Sequence, residues 1–164
     1  MIFNVVDTNV PIVANGQSEQ ACPRCVNACI DALQVIIDEG VVVIDDARRI
    51  LKEYMNNLSL SGQPGTGDAF MKWVFDNQAN VERCERVQIT EDETRGFDEF
   101  PDDPRLRNFD RSDRKFVAVA LTSRNNPEVL NAVDSDWWDA RKALADCGLK
   151  IRFVYPDQDR KSVV

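Results

Sequence analysis

Five short stretches with strand character, separated by stretches with helical periodicity, set the strongest limit on how this chain can fold. They are Ile2 to Val6, Val41 to Ile44, Arg86 to Ile89, Glu128 to Val133 and Ile151 to Tyr155. Parallel strands cannot be joined by a tight hairpin and need a crossover, usually a helix, so this alternation predicts an α/β fold with a mainly parallel sheet. The 164 residues suit one domain with one continuous core. The expectation is a three-layer α/β/α architecture with a central sheet of about five strands, in a single domain spanning residues 1–164.

The helical stretches carry their own signals. Cys25 to Glu39 places Cys29, Leu33, Ile36 and Ile37 on one stripe and ends at Gly40. Asp45 and Asp46 are natural N-caps for a helix whose stripe is Ala47, Ile50, Leu51, Tyr54 and Leu58. Further helices are expected over Ala69 to Asn77, from Asp110 through Leu121, and over Trp137 to Asp146 with Gly148 behind it. The glycine-rich stretch Ser59 to Asp68 lacks the Gly-Lys-Ser/Thr ending of a phosphate-binding loop, and no apolar strand runs into it, so it reads as a turn. Thr90 to Asn108, polar and proline-bearing, reads as a long surface loop.

Composition removes several chemistries. The chain has no histidine, which excludes Ser-His-Asp and Cys-His catalysis and any metal site that needs imidazole. A net charge of -8 argues against holding nucleic acid by charge alone and leaves metal chemistry at an acidic site open. Met1 to Asp7 lacks the basic start and apolar stretch of a secretory signal. The run Phe116 to Leu121 falls far short of the roughly 20 residues a membrane span takes. The reading is a cytoplasmic protein with no membrane partner. Cys22, Cys25 and Cys29 have a spacing that suggests zinc, but no fourth ligand or second pair accompanies them. Cys25 and Cys29, one helical turn apart beside Ile30 and Leu33, read instead as buried helix residues.

The acids fall in telling places. Asp7 ends the first strand, Asp134 ends the fourth, and Asp110 and Asp113 open the helix before the fourth. In an open parallel sheet the carboxyl ends of strands and the amino ends of the helices that follow share one edge, where ligands bind. Two carboxylates about 5 Å apart repel by roughly 3 kcal/mol at an effective dielectric near 20, so such a meeting favours proton uptake or a divalent cation. An all-oxygen site suits magnesium or manganese. Each of Asp110, Asp113, Asp134 and Asp136 also has a simpler reading as a helix cap. Asp7 does not, because a charge between apolar stretches sits near the core and needs a partner.

These segments resemble the motifs of the PIN-domain nucleases. Val5-Val6-Asp7-Thr8-Asn9-Val10 is similar to the family's first motif, and Val42 to Asp46 with Leu51-Lys52-Glu53-Tyr54 to its second. Asp110 to Phe116 is similar to the third, and Ala132-Val133-Asp134-Ser135-Asp136-Trp137 to the fourth. The resemblance runs in order along nearly the whole chain. It implies Asp7, Glu53, Asp113 and Asp134 as catalytic acids holding Mg2+ or Mn2+, with Asp110 and Asp136 as further ligands. The second acid is either Glu53 or Asp46, with Glu53 favoured. Thr8 and Asn9 would orient a ligand or water; as turn residues they would only end a strand.

The resemblance implies hydrolysis of a phosphodiester, in RNA rather than DNA, with the metal lowering the pKa of a bound water. Arg111, Arg114 and Lys115 are the candidate partners of substrate phosphates, and alternatively part of a solvated helix face. Trp137 and Trp138 would stack on a base or pack in the core. A toxin or phage-defence effector held inactive by an antitoxin or other partner protein fits this reading, as does a homodimer. The alternatives are a PIN-like binding module without catalysis and a phosphatase using Asp7 as a covalent nucleophile. The second would want an aspartate where Asn9 stands.

Overall fold

The computed structural model describes residues 1–19, 21–132 and 135–154. Its centre is a sheet of five strands: β1 (Phe3–Val6), β2 (Val41–Asp45), β3 (Cys84–Val87), β6 (Glu128–Asn131) and β7 (Lys150–Phe153). All neighbours are parallel, in the order β3-β2-β1-β6-β7. Every residue of β2 is buried, as expected of an inner strand covered on both faces. Helices α1 (Asn9–Ala14), α2 (Pro23–Glu39), α3 (Arg49–Asn57), α4 (Thr66–Asn77), α5 (Arg114–Thr122) and α6 (Ser135–Asp146) flank the sheet. This is the α/β architecture that the alternating pattern predicts.

Helix α5 packs against β1, β2 and β6, while α1, α2 and α4 pack against one another. Its run Phe116 to Ala120 is buried on every side, which explains why it reads as a continuous apolar stretch rather than an amphipathic stripe. Cys25 and Cys29 are both buried on α2, within the hydrophobic core. The carboxyl end of α2 is closed by Arg83, whose guanidinium donates to the carbonyls of Ile36, Ile37 and Gly40 and lies over the ring of Trp73.

Several boundaries differ from expectation. The third strand lies at Cys84–Val87 rather than Arg86 to Ile89, with Cys84 to Val87 pairing onto Val42 to Asp45. The fourth ends at Asn131, and Val133 lies outside the described residues, as does Tyr155 beyond the last strand. Helix α1 is not legible in the pattern, because six residues with a proline at the third position give too little periodicity.

The stretch read as a surface loop is folded. Strands β4 (Glu91–Asp92) and β5 (Gly96–Phe97) form a small antiparallel ribbon. Two single-turn 3-10 segments follow, at Pro104–Leu106 and Arg111–Asp113. Phe97, Phe100, Leu106 and Phe109 bury their side chains, irregularly spaced and so invisible to a periodicity test. Arg114 gathers this segment. Only 5% exposed, it donates to the carbonyls of Arg95, Leu106, Arg107 and Phe109 and stacks on Phe100.

Candidate functional site at the carboxyl edge of the sheet

The chain leaves β1 outward to β2 and β3, then returns across the sheet to β6 and β7, so the strand order reverses between β1 and β6. In open α/β sheets ligands bind outside the carboxyl ends of the strands at such a switch point. Asp7 stands there, the first residue beyond β1, 3% exposed. Its amide donates to the Leu130 carbonyl at 3.0 Å, so the Asp7 backbone is fixed by β6. Oδ1 accepts from the Asn9 amide at 3.1 Å and Oδ2 from Nδ2 of Asn131 at 3.1 Å. Asn9 completes the join, its Oδ1 accepting from the Ala132 amide at 3.0 Å.

Glu53 reaches the same edge from α3. Ile50, Leu51 and Tyr54 face the core and fix the rotation of that helix, which leaves Glu53 at the rim of the buried face. The hydroxyl of Thr8 donates to Oε2 of Glu53, linking this carboxylate to the residue beside Asp7. Oε1 of Glu53 accepts from Nζ of Lys115 on α5 at 2.6 Å, and the same ammonium donates to the Ser112 carbonyl. Asp7, Thr8, Asn9, Glu53 and Lys115 thus come together from β1, α1, α3 and α5.

The two carboxylates where β2 leads into α3 differ in their surroundings. Asp45 is fully buried and caps α3, its two oxygens accepting from the amides of Arg49 and Ile50, each at 2.9 Å. Asp46, the alternative to Glu53 in the sequence reading, is exposed. Tyr54 donates its hydroxyl to the Val6 carbonyl. Burial pushes its phenol well above the usual tyrosine range, and the charges of Asp7 and Glu53 push it further.

Asp110 caps the second 3-10 turn, its Oδ1 accepting from the Ser112 amide at 2.9 Å and the Ser112 hydroxyl at 2.8 Å, and these bonds hold its carboxyl below the usual range. Asp113 is half-buried at the entry to α5, and Asp136 is exposed in the first turn of α6. Asp134 lies outside the described residues. Arg111 donates to the carbonyls of Thr94 and Glu93, and the Arg114 guanidinium is turned inward as described. Trp137 is fully buried against Phe109, and Trp138 packs on Phe153 beneath Arg141.

Sequence reasoning missed two residues here. Asn131 is fully buried beside Asp7, and its one visible signal is a polar residue closing the apolar stretch Val129-Leu130. Tyr54 reads as a stripe residue only, because nothing in the chain shows that its hydroxyl ends under β1. Among the described residues, no three histidine, cysteine, aspartate or glutamate side chains group closely enough to hold a metal ion together. No helix among them is long and apolar enough to cross a membrane. No protein-family model, curated protein or solved structure matches this chain.

Proposed function

We propose that this chain is a divalent-metal-dependent nuclease of the PIN type that hydrolyses phosphodiester bonds in RNA. The observation that carries the reading is Asp7. A buried carboxylate at the sheet's switch point, oriented on both oxygens and one residue from a contact to a second acid, is a costly arrangement that folding alone does not require.

The donors fit a hard cation. Magnesium takes one or two carboxylates and leaves its other positions to water and substrate phosphate, a set that Asp7 and Glu53 would supply. Asp113 and Asp134 are the acids that the family resemblance adds. A bound Mg2+ or Mn2+ would supply a water of lowered pKa and offset charge on the phosphate. The protein's own residues do the rest. Asn131 and the Asn9 amide keep the Asp7 carboxylate aimed, and Thr8 does the same for Glu53. Lys115, drawn off Glu53, becomes a cation for the incoming phosphate. Residence in the cytoplasm and restraint by an inhibitory protein belong to this same reading.

The test is incubation of the purified protein with labelled single-stranded RNA and DNA under magnesium, manganese or chelator. RNA cleavage that needs the metal and falls at least about a hundredfold in Asp7→Asn and Glu53→Gln is expected. Cleavage indifferent to chelator removes the mechanism.

One observation favours a second reading. The Lys115 ammonium already satisfies Glu53, an arrangement that suits a binding module without catalysis. RNA binding by the unaltered protein with no cleavage under any metal supports that module.

A further inference from the structure

The folded segment 90–113 bounds an open cavity of about 660 Å3, within the roughly 300–1,000 Å3 typical of small-ligand sites. Four arginines line it: Arg95, Arg107, Arg111 and Arg114. Three aspartates share the wall, and they do little to balance this charge. Asp103 is taken by the Arg105 guanidinium at 2.7 Å. Asp110 is engaged by Ser112, and Asp102, with a side chain 86% exposed, meets Arg95 only at 3.8 Å.

The arginines are short of anions. Arg111 and Arg114 bond main-chain carbonyls, which orient a guanidinium without neutralising it, and neither forms an ion pair among the described residues. Arg107 has no side-chain partner among the described residues, and Nε of Arg95 is buried with no acceptor. Four arginines face three aspartates on this wall, and Arg105 is shared between Asp103 and Asp146, so the lining keeps a net positive charge that suits an anionic group.

We propose that this cavity binds a phosphate ester of nucleotide size, with the phosphate seated between the guanidinium groups of Arg107 and Arg95. Guanidinium groups suit it because their planar fork bonds two phosphate oxygens at once. The volume exceeds what a bare phosphate fills. This site is distinct from the Asp7 edge, and the turn Arg111–Asp113 lies between them. Arg111 lines the cavity, while the carbonyl of Ser112 accepts from Lys115. The proposal requires neither metal nor cleavage.

Calorimetric titration in the presence of chelator tests it, with adenosine 5′-monophosphate and inorganic phosphate as probes. The nucleotide is expected to bind saturably and more tightly than phosphate alone. Arg107→Gln, an exposed change that breaks no internal bond, should weaken binding by about tenfold or more. Arg124→Gln, an equal change of charge at another exposed arginine, and Asp7→Asn should leave binding intact. No saturation by about 10 mM of either probe overturns the proposal. So does equal loss in Arg124→Gln, loss in Asp7→Asn, or phosphate binding as tightly as the nucleotide. Because Asp7→Asn separates the two sites, failure of the nuclease reading leaves this result standing.

Discussion

Nζ of Lys115 lies 2.6 Å from Oε1 of Glu53, joining residues 62 positions apart on α5 and α3 at the edge where Asp7 is buried. A metal ion at Glu53 would compete with this ammonium for the same oxygen. Lys115→Met is therefore expected to tighten Mn2+ binding by about tenfold, and Glu53→Gln to weaken it, as read by calorimetric titration. Equal affinity in Lys115→Met and the parent would show that the two cations do not share Glu53.

Tyr54 makes the protein sensitive to alkali. Its folded pKa is raised, so above the ordinary tyrosine value of about 10 the unfolded chain loses a proton that the folded one keeps. Stability is full below that pH and falls as pH climbs toward the raised value. Urea unfolding measured across this range should show the decline, and Tyr54→Phe should reduce its slope. At neutral pH the same variant should cost about 1–2 kcal/mol, because the Val6 carbonyl loses its donor.

Arg114 is expected to behave as an internal strut. Its guanidinium meets four separate carbonyls across the segment 90–113 and covers Phe100 at 4.6 Å. A lysine carries the charge without the planar fork. Arg114→Lys should lower stability by about 3 kcal/mol or more and open this segment to limited proteolysis before the sheet unfolds. A melting temperature within a degree or so of the parent would contradict this role.

Gly67 marks a close approach between helices. A Cβ there would stand 2.0 Å from the carbonyl oxygen of Pro11 on α1 and 2.7 Å from Oδ1 of Asn15. Alanine is the better helix former, yet here it should destabilise by about 1–3 kcal/mol, because neither neighbour is a free side-chain end. Chemical denaturation of Gly67→Ala checks the sign. Gly65 and Gly67 thus let α4 approach α1 and its cap Asn15, and Asp68 ties the turn by accepting from the amides of Ser59 and Gly65.

Much of the fold was legible because periodicity is a local property. Runs such as Val41 to Ile44, the stripe through Ile50, Leu51 and Tyr54, and the buried cysteines of α2 follow from what each short stretch must hide from water. The segment 90–113 was not legible, since Phe97, Phe100, Leu106 and Phe109 have no shared period and are assembled by one arginine from outside it. Part of the candidate site lies between these cases. Asp7 was visible as a charge among apolar residues and Asp45 as a helix cap.

The sequence by itself determined the layering, the parallel sheet and the place of Asp7 at the end of the first strand, because hydrophobic spacing and helix capping act over a few neighbouring residues. Only the tertiary structure decided the partners at that edge: Asn131 for Asp7, Thr8 and Lys115 for Glu53, and the inward turn of Arg114. Hydrogen bonds and ion pairs between distant segments depend on angstrom-scale distances, and residue order alone does not set those distances.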